Sequence, residues 1–284
     1  MIRRVMLIFG FMLVCTVPAF AQLSLELPAE TMNGQAFFVK VQSDSNAPVE
    51  IQWDGRAVDV ACTGHGTMYT GLALLSLPRD YAGTSVQVRA KQKSGNGDLA
   101  VGTLPVVLKK YKEQHLKVNK KFVELDKKSL DKHYKDKAEV AGMMKSLSAE
   151  RMWDAAFVRP VSGGVSSDFG VQRFFNGKPR KPHSGVDLRG KTGTPIKSCA
   201  DGIVRIANDH FFSGNSVYID HGQGVVSMYF HLSKILVRQG EPVKKGQVIG
   251  KVGATGRVTG PHLHFGLKVS GVAVDPVPLF PQGK

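Results

Sequence analysis

Three short segments in the C-terminal half of the chain share one design, and they decide the fold. They are His183-Ser184-Gly185-Val186-Asp187-Leu188, Ser227-Met228-Tyr229-Phe230-His231-Leu232 and His262-Leu263-His264-Phe265-Gly266-Leu267. Successive side chains of a β-strand point to opposite faces. Each segment, taken as a strand, therefore buries an apolar face and turns polar side chains the other way. The pattern predicts amphipathic strands in a domain that is mainly β.

The polar faces of these segments carry the residues that could perform chemistry. On the alternation argument the outward-facing residues are His183, Asp187, Tyr229, His231, His262 and His264. If the three strands lie side by side, four histidines and one aspartate line a single cleft. Catalytic zinc usually takes three protein ligands and one water. The sequence thus predicts a zinc site in which His183 and Asp187 share one ion and either His264 or His262 supplies the third ligand.

The chain has 284 residues, and its first 21 have the design of an export signal. Arg3 and Arg4 precede an apolar run, and Ala19-Phe20-Ala21 is a small-x-small cleavage site, so we expect the mature chain to begin at Gln22. A membrane anchor is disfavoured because the apolar run is short for a bilayer span. We therefore expect an exported protein; a periplasmic location is favoured, and a secreted or wall-associated location is the alternative.

A formal net charge of +15 favours polyanionic partners. For an exported protein the expected anion is a cell-wall polymer or a membrane surface rather than nucleic acid. Cys62 and Cys199 remain after cleavage and lie in different predicted domains. An oxidising compartment would permit a disulfide between them, but buried free thiols are the favoured interpretation.

The rest of the chain divides into three parts after the signal at 1–21. Residues 22–108 contain short alternating runs separated by turn signals, which predicts an immunoglobulin-like β-sandwich. Residues 109–150 form a basic linker, partly helical because apolar residues recur every three or four positions from Leu130 to Leu147. Residues 151–284 form an antiparallel, barrel-like β domain that holds the histidines. Two further histidines, His210 and His221, are interpreted as turn residues.

The histidine segments resemble the signature motifs of lysostaphin/LytM-type zinc metallopeptidases. The resemblance rests on His183-Ser-Gly-Val-Asp187, Tyr229-Phe-His231-Leu232 and Gly260-Pro-His262-Leu-His264-Phe265, and it covers about residues 160–280. It implies antiparallel sheets around a narrow groove and one Zn2+ bound by His183, Asp187 and His264. It also implies that His231 and His262 act beside the metal on peptidoglycan peptides. Many relatives carry an acidic residue where this chain has Gly266, which affects a groove contact and not the metal ligands.

The histidines must supply the acid-base chemistry, because no Glu lies in an HExxH helix. We expect His262 to be the base or water-orienting group and His231 to stabilise the oxyanion, with the two roles open to exchange. Tyr229, Arg173 and Asn176 are predicted to line the substrate groove. The favoured function is a zinc-dependent endopeptidase that cuts peptidoglycan cross-links or stems. The alternative is a catalytically silent LytM-like regulator that binds wall or activates another hydrolase.

Overall fold

The computed structural model describes residues 23–66, 68–94, 99–117 and 126–281. The predicted export signal at 1–21 lies outside the described residues. The N-terminal strands are β1 (Ser24–Glu26), β2 (Thr31–Met32), β3 (Ala36–Ser43), β4 (Val49–Trp53), β5 (Arg56–Val60), β6 (Thr63–His65), β7 (Met68–Ser76), β8 (Ser85–Gln92) and β9 (Leu99–Val107). They include the alternating runs of sequence at residues 37–41, 49–53 and 85–89.

These strands form two sheets around one core. The first sheet has the order β1-β3-β7-β6 and the second the order β2-β9-β8-β4-β5. The pairs are antiparallel except for β2 with β9. Strict alternation in β8 buries every second side chain, as expected for a strand with one face on a core. The residues at the centre of that core include Val39, Ile51, Leu75, Val88 and Leu104.

A short strand and a helix connect the two halves. They are β10 (Glu113–Leu116) and α1 (Lys127–Met144). The helix begins where the Asp126 side chain accepts a hydrogen bond from the Ser129 backbone at 2.7 Å, a typical N-cap. Its C-terminal part buries Met143 against a cluster that includes Tyr218 and Met228. The helix lies within residues 109–150, and it packs on the C-terminal sheet.

The C-terminal elements build the sheet that carries the histidines, apart from β12 and β13, which form a separate three-stranded sheet with β10. They are β11 (Val165–Ser167), β12 (Gln172–Phe175), β13 (Lys178–Pro179), β14 (Val186–Arg189), β15 (Pro195–Lys197), β16 (Gly202–His210), β17 (Gly214–Asp220), β18 (Val225–Ile235), β19 (Pro242–Val243), β20 (Val248–Val252), β21 (His262–Val269), β22 (Val272–Val274) and a 3₁₀ turn (Val277–Leu279). The main sheet has the order β11-β14-β21-β18-β17-β16-β19, with antiparallel neighbours.

The two halves are joined by buried contacts as well as by the chain. Ala36 and Leu74 of the first N-terminal sheet belong to the same core cluster as Trp153 and Phe280. The buried Ser76 hydroxyl donates to the Val269 carbonyl at 2.9 Å, directly bonding β7 to the end of β21. The N-terminal sheets therefore brace the sheet that carries the histidines.

Two predictions about buried polar residues are settled by the fold. Cys62 and Cys199 are both buried free thiols, as favoured from the sequence. The interpretation of His210 as a turn residue is wrong, because His210 belongs to strand β16, whereas His221 lies in the turn between β17 and β18 as predicted; both side chains are buried. His210 ends β16 and lies 3.0 Å from a Glu139 oxygen of α1, and His221 is hydrogen-bonded inside the core. Among the described residues, no helix combines the length and apolar character that a bilayer span requires.

Candidate metal centre

The three histidine segments lie side by side, as predicted. Strand β21 is the middle one and pairs with β14 on one edge and β18 on the other. The register sets His264 opposite Asp187 on β14 and opposite Phe230 on β18. Cross-strand partners have side chains on the same face. The sheet therefore places Asp187, His264 and Phe230 on one face.

Three side chains form a triangle of potential ligand atoms. His183 Nε2 lies 3.1 Å from Asp187 Oδ1 and 3.0 Å from His264 Nδ1. The third edge, from His264 Nδ1 to Asp187 Oδ1, is 3.0 Å. Two ligands of one zinc ion, each held at 2.0–2.2 Å, lie at most about 4.4 Å apart. All three edges fall well inside that limit, so this nitrogen and oxygen donor set fits Zn2+.

His183 reaches the triangle from a loop and not from a strand. It precedes β14 by three residues, which corrects the prediction that His183 and Asp187 share one strand face. Backbone hydrogen bonds with Gly170 and Val171 hold the loop in place. The Nδ1–H of His183 donates to the Asp168 carbonyl at 2.8 Å. This hydrogen bond leaves the Nε2 lone pair directed at the other two ligands, the usual arrangement of a metal-binding imidazole.

The protonation states of the triangle suit a cation. Burial would raise the pKa of Asp187, but the His183 and His264 rings beside it hold that pKa far below its usual range. Burial lowers the pKa of His264, while its bond to Asp187 opposes that shift. A carboxylate and neutral imidazoles are the forms that bind zinc, because ligands must be deprotonated.

His231 lies beside the triangle because β18 departs from regular geometry. His231 has a positive φ of 68°, and the pairing of β18 with β17 shifts register between Leu232 and Tyr229. The irregularity turns the His231 ring toward His262, with ring centroids 5.1 Å apart. Its Nδ1–H donates to the Thr255 carbonyl at 2.9 Å, so Nε2 presents a lone pair. Burial lowers the pKa of His231 to about 4, which keeps the ring neutral near pH 7.

His262 completes the set from the start of β21. Its Nδ1–H donates to the Gly260 carbonyl at 2.9 Å, which again leaves Nε2 as an acceptor. That Nε2 lies 3.7 Å from Asp187 Oδ1. The His262 ring therefore lies beside the three candidate metal ligands, which are His183, Asp187 and His264. The structure brings together all five predicted metal and catalytic residues.

Known proteins match this part of the chain. Residues 181–276 match the model of peptidase family M23. The chain contains a peptidase family M23 domain. It is 46% identical over 112 residues to the peptidoglycan DD-endopeptidase ShyA of Vibrio cholerae, covering 39% of this chain and 26% of that protein. It is 41% identical over 113 residues to the DD-carboxypeptidase/endopeptidase Mpg of Neisseria meningitidis, covering 40% and 26%.

The likeness in structure reaches beyond the M23 domain. A crystal structure of a Pseudomonas aeruginosa protein assigned to peptidase M23 is 28% identical, with a TM-score of 0.66, and covers 87% of this chain and 94% of that one. The shared fold therefore includes most of the N-terminal sheets. The chain spans about a quarter of the length of the curated relatives it matches. Family M23 consists of zinc-dependent peptidases, and His183, Asp187 and His264 form a group that could hold such an ion.

Tyr229 was predicted to line the substrate groove, but the structure places it in the core. It is fully buried, and its hydroxyl accepts a hydrogen bond from the Cys199 backbone at 2.9 Å. The prediction that Tyr229 lines the substrate groove is wrong, because the irregularity in β18 puts Tyr229 and His231 in different surroundings. Phe230 instead stacks on His264, with ring centroids 5.2 Å apart and planes 2° from parallel.

The two predicted groove residues from the loop before His183 have different positions. Arg173 reaches the metal site, since its Nη2 lies 3.8 Å from Asp187 Oδ2 and 3.2 Å from Ser167 Oγ. Asn176 is exposed in the turn between β12 and β13, with a positive φ of 52°. Its role in the groove stays a prediction.

Sequence reasoning missed the groups that orient the histidines of the M23 domain. The Asp168 and Thr255 carbonyls fix the His183 and His231 rings. Backbone acceptors carry no side-chain signature, so spacing alone could not reveal them. Phe230 was visible in the quoted segment but was assigned to the core face by strict alternation.

Proposed function

We propose that this protein is an exported zinc-dependent endopeptidase that hydrolyses peptide bonds in peptidoglycan cross-links or stems. The observation that carries the proposal is the triangle of His183, Asp187 and His264, with edges of 3.0 to 3.1 Å, flanked by His231 and His262. Three protein ligands with further polar groups beside them are typical of catalytic zinc, whereas structural zinc has four protein ligands.

The flanking histidines would supply the proton transfers. A bound Zn2+ lowers the pKa of a coordinated water and polarises a carbonyl. Both His231 and His262 present an Nε2 lone pair, because each Nδ1–H is committed to a backbone carbonyl. Either ring is therefore set to accept a proton from an attacking water. After that transfer the new Nε2–H becomes a donor that stabilises a developing oxyanion or protonates the leaving amine.

Between the two rings, we assign the base to His262 and, when a proton is bound at its Nε2, the oxyanion contact to His231, with the two roles open to exchange. His262 is the more exposed ring, at 20% of its side chain, and its Nε2 lies 3.7 Å from Asp187 Oδ1. His231 is held by two backbone bonds, from its own N–H to the Ser213 carbonyl and from Nδ1–H to Thr255. A rigidly held ring suits an electrostatic contact, since such contacts depend on preorganisation.

The substrate class follows from the relatives. ShyA is named a peptidoglycan DD-endopeptidase and Mpg a DD-carboxypeptidase/endopeptidase. These names support a wall-peptide substrate and leave open which bond is cut. The alternative, a silent regulator that binds wall or activates another hydrolase, is disfavoured because all five site residues are present and converge.

The rest of the proposal concerns architecture and location. We assign residues 22–108 to an immunoglobulin-like sandwich, 109–150 to a basic linker and 151–284 to a barrel-like peptidase domain, after a cleaved signal at 1–21. The two N-terminal sheets around one core support the first assignment. A wall substrate supports export, with the periplasm favoured. The Lys-rich linker would contact anionic wall or membrane surfaces.

Metal analysis and a digest test the function together. Purified mature protein should contain about one zinc per chain, and it should release peptides from isolated peptidoglycan that mass spectrometry identifies. A chelator should abolish cleavage and added zinc should restore it. His262→Ala should retain zinc but lose cleavage, while His65→Ala, at an exposed position in β6, should match the wild type. A zinc-loaded, folded protein that cleaves no wall peptide yet stimulates another hydrolase would replace the enzyme with the regulator.

A further inference from the structure

One face of helix α1 lies against the end of strand β16. Asp136, Glu139 and Met143 follow one another at steps of three and four residues, so their side chains share a face of the helix. Met143 is buried in one cluster with Tyr218 of β17. This burial fixes which way the helix is turned. The two carboxylates on the same face are thereby directed at the β16–β17 connection.

Both carboxylates are bonded to that connection. Asp136 Oδ2 accepts the backbone N–H of Phe211, the first residue after β16, at 2.7 Å. Its other oxygen, Oδ1, lies 3.9 Å from Lys132 Nζ one helical turn away. Glu139 Oε2 lies 3.0 Å from Nε2 of the buried His210, the last residue of β16. A hydrogen bond to a charged acceptor is about twice as strong as a neutral one, so α1 holds the start of the turn firmly.

The turn of residues 211–213 in its turn holds His231. The Ser213 carbonyl accepts the His231 backbone N–H at 2.8 Å. The Phe212 carbonyl accepts the Arg257 backbone N–H at 2.9 Å. Arg257 lies two residues beyond Thr255, whose carbonyl accepts the Nδ1–H of His231 at 2.9 Å. The backbone bond to His231 therefore comes from the turn itself, and the ring bond comes from a segment tied to the turn.

His231 needs this support because its backbone is strained. A φ of 68° is unfavourable for a residue with a side chain, and it persists only where the surroundings enforce it. The three residues of the turn are consecutive, so a turn released at Phe211 would also move the Ser213 carbonyl. His231 could then relax toward regular strand geometry, and its ring would leave its place beside His262. A displacement of about 1 Å in a catalytic group can cost a large part of the rate.

We propose that Asp136 is a positioning residue, which fixes His231 beside the metal site by holding the turn of residues 211–213. The inference rests on the proposed function, in which His231 acts on the reacting groups, and adds a determinant that lies outside the residues 181–276 matched by the family model. Helix α1 is then part of the catalytic unit as well as a connector. Because Asp136 acts through the backbone of the turn, its loss should lower kcat and leave zinc content and KM nearly unchanged.

Three variants of α1 test the kinetic part. Asp136→Ala removes the acceptor but keeps a strong helix former. With zinc bound, its kcat on a synthetic cross-linked wall peptide should be about 10-fold below that of the wild type, with KM near the wild-type value. Asp136→Asn keeps a side-chain oxygen that can accept the Phe211 N–H, and its kcat should stay within about 3-fold of the wild type. Asp131→Ala, at an exposed aspartate of the same helix, is the matched control and should equal the wild type. A wild-type kcat in Asp136→Ala, or equal losses in Asp136→Ala and Asp136→Asn, would overturn the inference.

Amide hydrogen exchange measures the hold on His231 without any catalysis. In Asp136→Ala the His231 N–H should exchange about 10-fold faster than in the wild type, because its bond to Ser213 opens more often. Amides in the middle of β21, such as that of Phe265, should keep their wild-type rates. Equal acceleration at Phe265 would show a general loss of stability, and an unchanged rate at His231 would show that Asp136 does not hold it; either result overturns the inference.

The exchange experiment also separates this inference from the proposed function. If the wild type cleaves no peptide, the proposed function fails, yet the exchange rate of the His231 N–H still decides whether Asp136 holds that residue. If Asp136→Ala does not fold, Asp136→Asn takes its place in the same comparison. Its weaker acceptor should speed exchange at His231 by about 2- to 3-fold and leave Phe265 unchanged; an unaltered rate at His231 would again reject the inference.

Discussion

The buried imidazole of His221 should make the stability of this protein depend on pH. Its side chain is completely buried. The Nδ1–H donates to the Asp201 carbonyl at 2.7 Å, and Nε2 lies 2.7 Å from Ser227 Oγ. Both nitrogens are thereby satisfied in the neutral ring. Burial is the main reason why the pKa of His221 falls to about 4, from an ordinary value of 6.5.

The size of the effect follows from the two pKa values. In the unfolded chain His221 takes up a proton below pH 6.5, whereas in the folded chain it does so only near pH 4. Between these values the unfolded state binds more protons, so the free energy of unfolding falls as the pH falls. The contribution is complete above pH 6.5 and is lost progressively down to the folded pKa. At about 1.4 kcal/mol per unit, roughly 2 kcal/mol should disappear between pH 7 and pH 5.

Urea unfolding of the metal-free protein measures this directly. A chelator removes the linkage between zinc and protons, and His221→Asn removes the titrating group while keeping a polar side chain. The wild type should lose about 2 kcal/mol more than the variant between pH 7 and pH 5. His65→Asn, at an exposed site, should follow the wild type. Parallel losses in the wild type and His221→Asn would show that the His221 ring is protonated at little cost, which would refute its assignment as a buried neutral group.

Three further predictions concern the metal site. Asp187→Ala should abolish stoichiometric zinc and cleavage together, as read by metal analysis and peptide release, because it removes the charged corner of the triangle. His262→Ala should keep zinc and lower kcat by about 10²- to 10⁴-fold; loss of zinc with the ring would make His262 a ligand instead. Gly185→Ala would place a Cβ 2.4 Å from the Phe265 carbonyl and 2.8 Å from His264 Nε2. It should therefore lower both Tm and zinc affinity, and a variant with unchanged zinc binding would contradict the close packing.

Much of the site was predictable where the strands are regular. In β21, His262 and His264 alternate with Leu263 and Phe265, and the structure keeps that alternation beside both neighbouring strands. A strand of this kind has only one register that buries its apolar face. The sequence therefore sufficed to place both histidines on a polar face and to bring them near Asp187.

The prediction failed where the backbone departs from the strand period. His183 was assigned to a strand because it lies four residues before Asp187, but Ser184 and Gly185 form the approach to β14. Gly185 passes so close to Phe265 that a side chain would collide with its carbonyl. A glycine inside a strand pattern can mark such a close approach of two backbones. Gly185 was therefore a sign that the strand does not extend back to His183, but the four-residue spacing of His183 and Asp187 favoured a continuous strand.

The irregularity at His231 had no comparable signal, although it decides the site. Phe230, His231 and Leu232 read as a continuous strand, and only long-range contacts bend it: the His231 N–H donates to Ser213, and Nδ1–H donates to Thr255. A non-glycine residue with a φ of 68° is strained, and such strain persists only where the surroundings enforce it. With this bend, Tyr229 lies in the core. Phe230 stacks on His264, and the His231 ring faces His262. In a regular β18, alternation would put Phe230 and His231 on opposite sides of the sheet, so they could not contact His264 and His262 together.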